Sequence, residues 1–136
     1  IVAGPLVALG IWKSPMQRLA YICAGHTPAA TSAVQLTGYS TFLREEWLAV
    51  FRTDERSFQK FIIEAKLSPV DAFEIEAWIK NSTLKTSHLS SYLTTSNNAP
   101  CFRRVFQEGG EHERGTVLAW FDPATSHAIV LRGYRD

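Results

Sequence analysis

Residues 33–40 read AVQLTGYS, and their apolar and polar side chains take turns as they do along a half-buried strand. The next apolar stretch does not alternate. Trp47, Leu48, Ala49, Val50 and Phe51 follow one another without a polar residue before Arg52, which predicts a strand that is apolar on both faces. Glu45 and Glu46, just ahead of it, are expected at a solvated edge. Thr53 and Asp54 then supply helix-start chemistry. Phe58, Phe61, Ile62 and Ala65 recur at i, i+3, i+4 and i+7, one face of a helix. A second helix is expected to begin at residues 68–71, with Ser68 as cap, Pro69 in the first turn and Asp71 as the capping-box carboxylate. Phe73, Ala77, Trp78 and Ile79 would form its apolar side. Residues 81–100 are rich in serine and threonine, but Leu84, Leu89, Tyr92 and Leu93 interrupt them, so they do not read as a plain linker. Residues 101–107 predict a further strand, and 108–115 an exposed loop.

The last apolar stretch, VLAWFDPATSHAIVL at 117–131, predicts a hairpin. With Asp122, Pro123, Ala124 and Thr125 as its turn, Phe121 would face Ser126, Trp120 would face His127 and Leu118 would face Ile129. Val117, Ala119, Phe121, Ala128 and Val130 share one face, and Leu118, Trp120, His127, Ile129 and Leu131 the other. An antiparallel sheet with one wet side alternates, and this one does not. Each large apolar side chain buried is worth roughly 1.5–3 kcal/mol, so both faces need a cover. Two helices cover one. The other is left to residues 81–100, to the N-terminal segment or to another protein. Trp47, Leu118, Trp120, His127, Ile129 and Leu131 are the candidate partner interface. The fold class expected is α+β: a small, mostly antiparallel sheet of about four or five strands, two helices inserted between the second and third, and an apolar N-terminal helical segment in front.

Residues 1–12 carry no charge, and Lys13, Ser14 and Pro15 end the run. A span needs roughly 20 apolar residues. The chain opens on Ile1 rather than methionine, so the run is expected to be the distal part of a transmembrane anchor or an uncleaved signal. Leu6, Val7, Leu9 and Ile11 would lie in the bilayer and Trp12 at its interface. The rival expectations are a buried first element of the domain and a leftover signal-peptide core. Residues 16–25 read as a short helix or strand and 26–32 as a linker, dividing the chain into an apolar segment at 1–25, a linker at 26–32 and an α+β domain at 33–136.

Composition narrows the function. The chain has 136 residues, enough for one domain with a real core. A net charge of +1, with no basic run or stripe, argues against nucleic acid as a partner. Cys23 and Cys101 are a possible disulfide, closing a loop worth roughly 4 kcal/mol in the chain-entropy model, or two separate buried thiols. Neither has the spacing of a metal site. His112 between Glu111 and Glu113 lacks the helical geometry of a zinc-binding HExxH pair. Ser126, His127 and Asp122 suggest a hydrolase triad, but consecutive strand residues point to opposite faces. Cys101 as a thiol nucleophile lacks an adjacent histidine, and Gly109 and Gly110 are too short for a phosphate loop. Asn81, Ser82 and Thr83 match a glycosylation sequon. Arg52, Asp54 and Arg56 read as surface ion pairs, and Arg103 and Arg104 as a solvated strand end. Trp47, Trp78 and Trp120 read as core, or as an aromatic pocket.

No catalytic residue, metal or cofactor is assigned. The leading expectation is a non-catalytic, membrane-tethered domain on the periplasmic or extracellular side, acting as an accessory subunit beside other proteins of a membrane assembly. An exported small-ligand-binding domain, using the tryptophans with residues 81–100 as a lid, is the alternative. A small hydrolase or thiol enzyme comes third.

Overall fold

The computed structural model describes residues 14–41, 44–94, 99–106 and 115–135. Their order is α1 (Pro15–Ile22), β1 (Ser32–Ser40), β2 (Arg44–Arg52), α2 (Glu55–Glu64), β3 (Ser68–Val70), α3 (Ala72–Lys80), two 3-10 turns (Thr83–Thr86 and Ser90–Tyr92), β4 (Cys101–Phe106), β5 (Gly115–Asp122) and β6 (His127–Arg135). The strands form one antiparallel sheet in the order β1-β2-β6-β5-β4-β3. The architecture is α+β, with six strands and three helices among the described residues.

Both faces of this sheet are covered, and the chain supplies both covers. On the first face, Leu19 and Ile22 of α1 and Phe58, Phe61 and Ile62 of α2 pack over Ala49, Phe51, Val117, Ala119, Phe121, Ala128 and Val130. Phe58 sits at the centre, with ring centroids 5.5 Å from Phe121, 6.0 Å from Phe61 and 6.1 Å from Phe102. On the second face, Ile75 of α3 and Leu84, Leu89 and Leu93 of the Ser/Thr-rich segment close over Leu48, Val50, Leu118, Trp120, Ile129 and Leu131. The segment meets the sheet through these three leucines, and its hydroxyls bond its own backbone. Ser87 Oγ donates to Leu84 O, and Thr86 Oγ1 to Thr83 O.

Several expectations change in detail. The hairpin pairs Asp122 with His127, Phe121 with Ala128, Trp120 with Ile129 and Leu118 with Leu131. The loop holds Pro123, Ala124, Thr125 and Ser126, and Ser126 takes a left-handed backbone with φ of 57°. Pairing therefore moves two residues along β6, which preserves the face of every side chain. Ser68–Val70 is a short edge strand and not a helix start, because Pro69 has no N–H to donate and an edge tolerates that. Asp71 itself caps α3, accepting from Phe73 N at 2.9 Å. The inward face of α3 is Ile75, with Ala72, Trp78 and Ile79 packed around it. Phe73 is 72% exposed, and Ala77 also faces solvent.

Residues 26–32 join α1 to β1, and α1 contributes Leu19, Ile22 and Cys23 to the first core. Ser14 caps α1 in a reciprocal capping box with Gln17, and Pro15 opens the helix. Leu6, Val7, Leu9, Ile11 and Trp12 lie outside the described residues, as do Gly109, Gly110, Glu111, His112 and Glu113. Among the described residues no helix is long and apolar enough to cross a membrane.

Because Trp120 is 1% exposed beneath the chain's own leucines, Trp120→Asp is expected to unfold the isolated domain. Trp120→Ala should cost about 3–5 kcal/mol. Chemical denaturation followed by circular dichroism checks both, and an isolated Trp120→Asp domain with native stability would refute the self-covered core.

Candidate functional site

Along β6 the inward series on the first face runs Ala128, Val130, Arg132, Tyr134, and along β2 it runs Phe51, Ala49, Trp47, Glu45. Along β4 it runs Phe102, Arg104, Phe106. In all three strands the hydrophobic core gives way, toward one end of the sheet, to charged and aromatic side chains. Helix α1 crosses that end. It leaves its helical path at Ala24 and Gly25, both with positive φ (55° and 85°), whose N–H groups return to Tyr21 O and Ala20 O.

Between this helix end and the sheet lies an open cavity of about 550 Å³. Ala20, Tyr21, Ala24 and Gly25 form its helix side, and Arg104, Phe106 and Arg132 its sheet side. Arg132 is only 5% exposed. Its Nη1 donates to Tyr21 O at 2.6 Å, and its guanidinium carbon lies 4.1 Å from the Tyr21 ring centroid and 4.7 Å from that of Phe106. Arg104 rests over the same Phe106 ring at 4.5 Å and donates from Nη1 to Ala65 O at 3.0 Å. Arg132 Nε is buried without a hydrogen-bond partner among the described residues.

Glu45 lies on the same face, bonded to Tyr21. Its carboxylate accepts from Tyr21 Oη and from Trp47 Nε1, the latter at 3.1 Å, while Arg18 lies over the Trp47 ring at 3.9 Å. Burial and the hydrogen bond to Glu45 raise the Tyr21 hydroxyl well above its ordinary range, outweighing the opposing charge of Arg132. Tyr21 therefore stays neutral and serves as a donor. Among the described residues the cavity wall thus combines two guanidiniums, a phenol and apolar groups. Cys23, in the adjoining core, is pushed up to about 12 by burial and offers no thiolate at neutral pH.

A second polar cluster lies on the opposite face. Glu46 is fully buried, and its carboxylate accepts from Tyr39 Oη at 2.8 Å, Arg44 Nη2 at 3.0 Å, Ser82 Oγ at 2.6 Å and Thr83 Oγ1 at 2.9 Å. Glu45 and Glu46 are thus buried organisers of both faces, not a solvated edge. The physical reason is that β2 begins at Arg44 rather than at Trp47, which carries both glutamates into the sheet.

The other candidate residues fall as follows. Leu118, Trp120, Ile129 and Leu131 are buried in the second core, while Trp47 and His127 are half-buried. Trp47 packs on the first face and Trp78 and Trp120 on the second, so the three share no pocket. A second cavity, lined by Tyr92, Thr94, Trp120 and Asp122 among others, measures about 130 Å³, below the range of organic-ligand pockets. His127 stands opposite Asp122 and not Trp120. Its Nδ1 meets Thr125 Oγ1 at 2.8 Å, Thr125 donates to Asp122 at 3.0 Å, and the ring packs edge-on to Tyr92 at 5.4 Å. Ser126 sits in the turn. Arg103 pairs with Glu74 on the surface, and no such pair joins Arg52, Asp54 and Arg56 among the described residues. Asp54 caps α2, accepting from Ser57 N. In the sequon, Ser82 is buried and both hydroxyls are held by Glu46. Cys23 and Cys101 are free thiols on opposite faces of the sheet, which removes the disulfide. Among the described residues no three His, Cys, Asp or Glu side chains gather into a metal site. Arg132, Tyr21 and Phe106 were missed by sequence reasoning, although the i, i+2, i+4 series from Ala128 places Arg132 inward. No family model, curated protein or solved structure matches this chain.

Glu46→Gln exchanges a charge-accepting group for one that also presents an amide N–H₂ to donors. It is expected to cost about 3 kcal/mol and to admit protease cleavage within 82–94 before global unfolding, as limited proteolysis with mass mapping would detect. Burial raises both thiols, with Asp71 and Glu76 adding to it at Cys101. Neither should react with a disulfide reagent in the native state at pH 8, and both should react in denaturant. Fast native labelling of either would contradict the burial.

Proposed function

We propose that this chain is a non-catalytic domain that binds a small ligand in the cavity beneath the end of α1. The observation that carries this reading is the cavity itself, of about 550 Å³ and walled by one helix end and two strands. That volume falls within the range that organic ligands occupy. Its polar groups are few and converge, which is how a binding site combines affinity with orientation. The described walls present two guanidiniums and a phenol, groups that hold a ligand by hydrogen bonding and stacking, and this supports binding as the reading.

The apolar run at 1–12 supports a further part of the proposal, that the domain is held at a membrane and faces the periplasmic or extracellular side. An accessory role in a membrane assembly draws its support from that run alone. The sheet face first invoked for a partner has its own cover of leucines, so burial of apolar surface no longer calls for a second protein there.

A thermal-shift screen of the whole chain against a chemically diverse small-molecule panel tests the reading. At least one compound should raise Tm in proportion to the logarithm of its concentration, as binding to the native state requires. Ala20→Phe, which fills the cavity from the helix side, should abolish that response while keeping the unliganded Tm. Undiminished stabilisation of Ala20→Phe would place the ligand elsewhere and reject the proposal.

A further inference from the structure

We infer that the ligand of this cavity is an organic oxyanion, a carboxylate or phosphate ester on a compact apolar body, with its charged head on the arginine side and its body against Phe106, Ala20 and Ala24. The inference rests on the cavity being a ligand site and adds the chemical class.

Three observations converge on it. The first is the state of Arg132. A guanidinium is always charged and carries five N–H donors in a fixed fork. Here it is 5% exposed, with aromatic rings over it, and Nη1 donates a hydrogen bond to Tyr21 O, while Nε is buried without a partner among the described residues. A buried cation in this state is costly unless an anion completes it. The second is the arrangement of carboxylates. Among the described residues none lies within ion-pairing distance of Arg132 or Arg104. Glu45 is spent on Tyr21 Oη and Trp47 Nε1 on the same face. Two cations thus border one cavity with no acid of the described chain to neutralise either. The third is size. The space of about 550 Å³ exceeds what a bare inorganic ion fills, and its remaining wall is Ala20, Ala24, Gly25 and the rings of Tyr21 and Phe106. An oxyanion head that accepts bidentately from a guanidinium, joined to an apolar body, satisfies all three.

The same head group occurs on free organic acids, on phosphate monoesters and on lipid headgroups, so the experiment separates these sources. Isothermal titration of the whole chain at low salt would use benzoate, phenyl phosphate and a short-chain, micelle-free phosphatidate, with benzyl alcohol as the uncharged isostere. At least one anion should bind with one-to-one stoichiometry, at least tenfold more tightly than benzyl alcohol, and should weaken as salt is added. The anion bound tightest identifies the source. Arg132→Met should weaken that anion at least tenfold. Since Arg132→Met also removes a buried stacking partner, Arg104→Gln at the more open arginine serves as the second variant and should weaken it several-fold with a smaller loss of Tm than Arg132→Met. Arg56→Gln, exposed on α2, should leave binding unaltered. If benzyl alcohol equals the anions, or Arg104→Gln leaves anion affinity intact, the oxyanion assignment falls while the cavity stands. If the diverse panel and these anions all fail to bind, the ligand-site reading falls with it.

Discussion

A fully buried carboxylate holds the second half of this molecule in place. Glu46 stands on β2 in the interior of a sheet, where an ionised group without compensation costs several kcal/mol. Its compensation comes from Tyr39 on β1, Arg44 on its own strand, and Ser82 and Thr83 at the start of the segment that crosses the sheet. Those last two residues matter most, because the leucines that roof Trp120 follow directly: Leu84, Leu89 and Leu93. The need to satisfy one charge therefore fixes where an apolar cover begins. Without that anchor the segment would have only its four or so apolar side chains to offset the entropy of ordering a Ser/Thr-rich stretch.

The neighbouring Glu45 does a parallel job on the other face. Consecutive strand residues point to opposite sides of a sheet, so one acidic pair at the start of β2 serves both layers. Glu45 takes the Tyr21 hydroxyl and the Trp47 indole N–H, and so ties α1 to the sheet at the end where the apolar core stops. The close approach of Trp47 to β1 depends on Gly38, whose φ is 150°. A Cβ there would lie 2.2 Å from Glu46 O and 2.5 Å from the Trp47 ring. Positioning Tyr21 in this way also sets its carbonyl, which orients Arg132, and with it the wall of the cavity. The first core, the placement of α1 and the candidate site are consequently one construction.

Much of the fold was legible because local periodicity and burial agree. The series Phe58, Phe61, Ile62, Ala65 became the inward face of α2, and Asp54 became its cap. The unalternating runs at 47–51 and 117–131 became strands covered on both sides. Where the reading departed, the competing physics is identifiable. Ser68 and Pro69 carry helix-start chemistry, yet pairing with Phe102 and Arg103 of β4 outweighs it and leaves the cap to Asp71. Phe73 fits a helical apolar stripe, yet α3 docks through Ile75. A chain cannot announce which side of a short helix will meet a sheet that forms from residues thirty positions away.

An α+β fold around a sheet needing two covers follows from the count and spacing of apolar residues, which are properties of the chain alone. That a Ser/Thr-rich segment supplies the second cover, and that Tyr21, Arg104, Phe106 and Arg132 share one cavity, emerges with the packed fold. These residues lie as much as 111 positions apart. Their meeting depends on strand order and on the docking of α1, and no local pattern records either. Hydrophobic periodicity is written residue by residue, whereas a binding site is made by whichever side chains the packed layers leave at their rim.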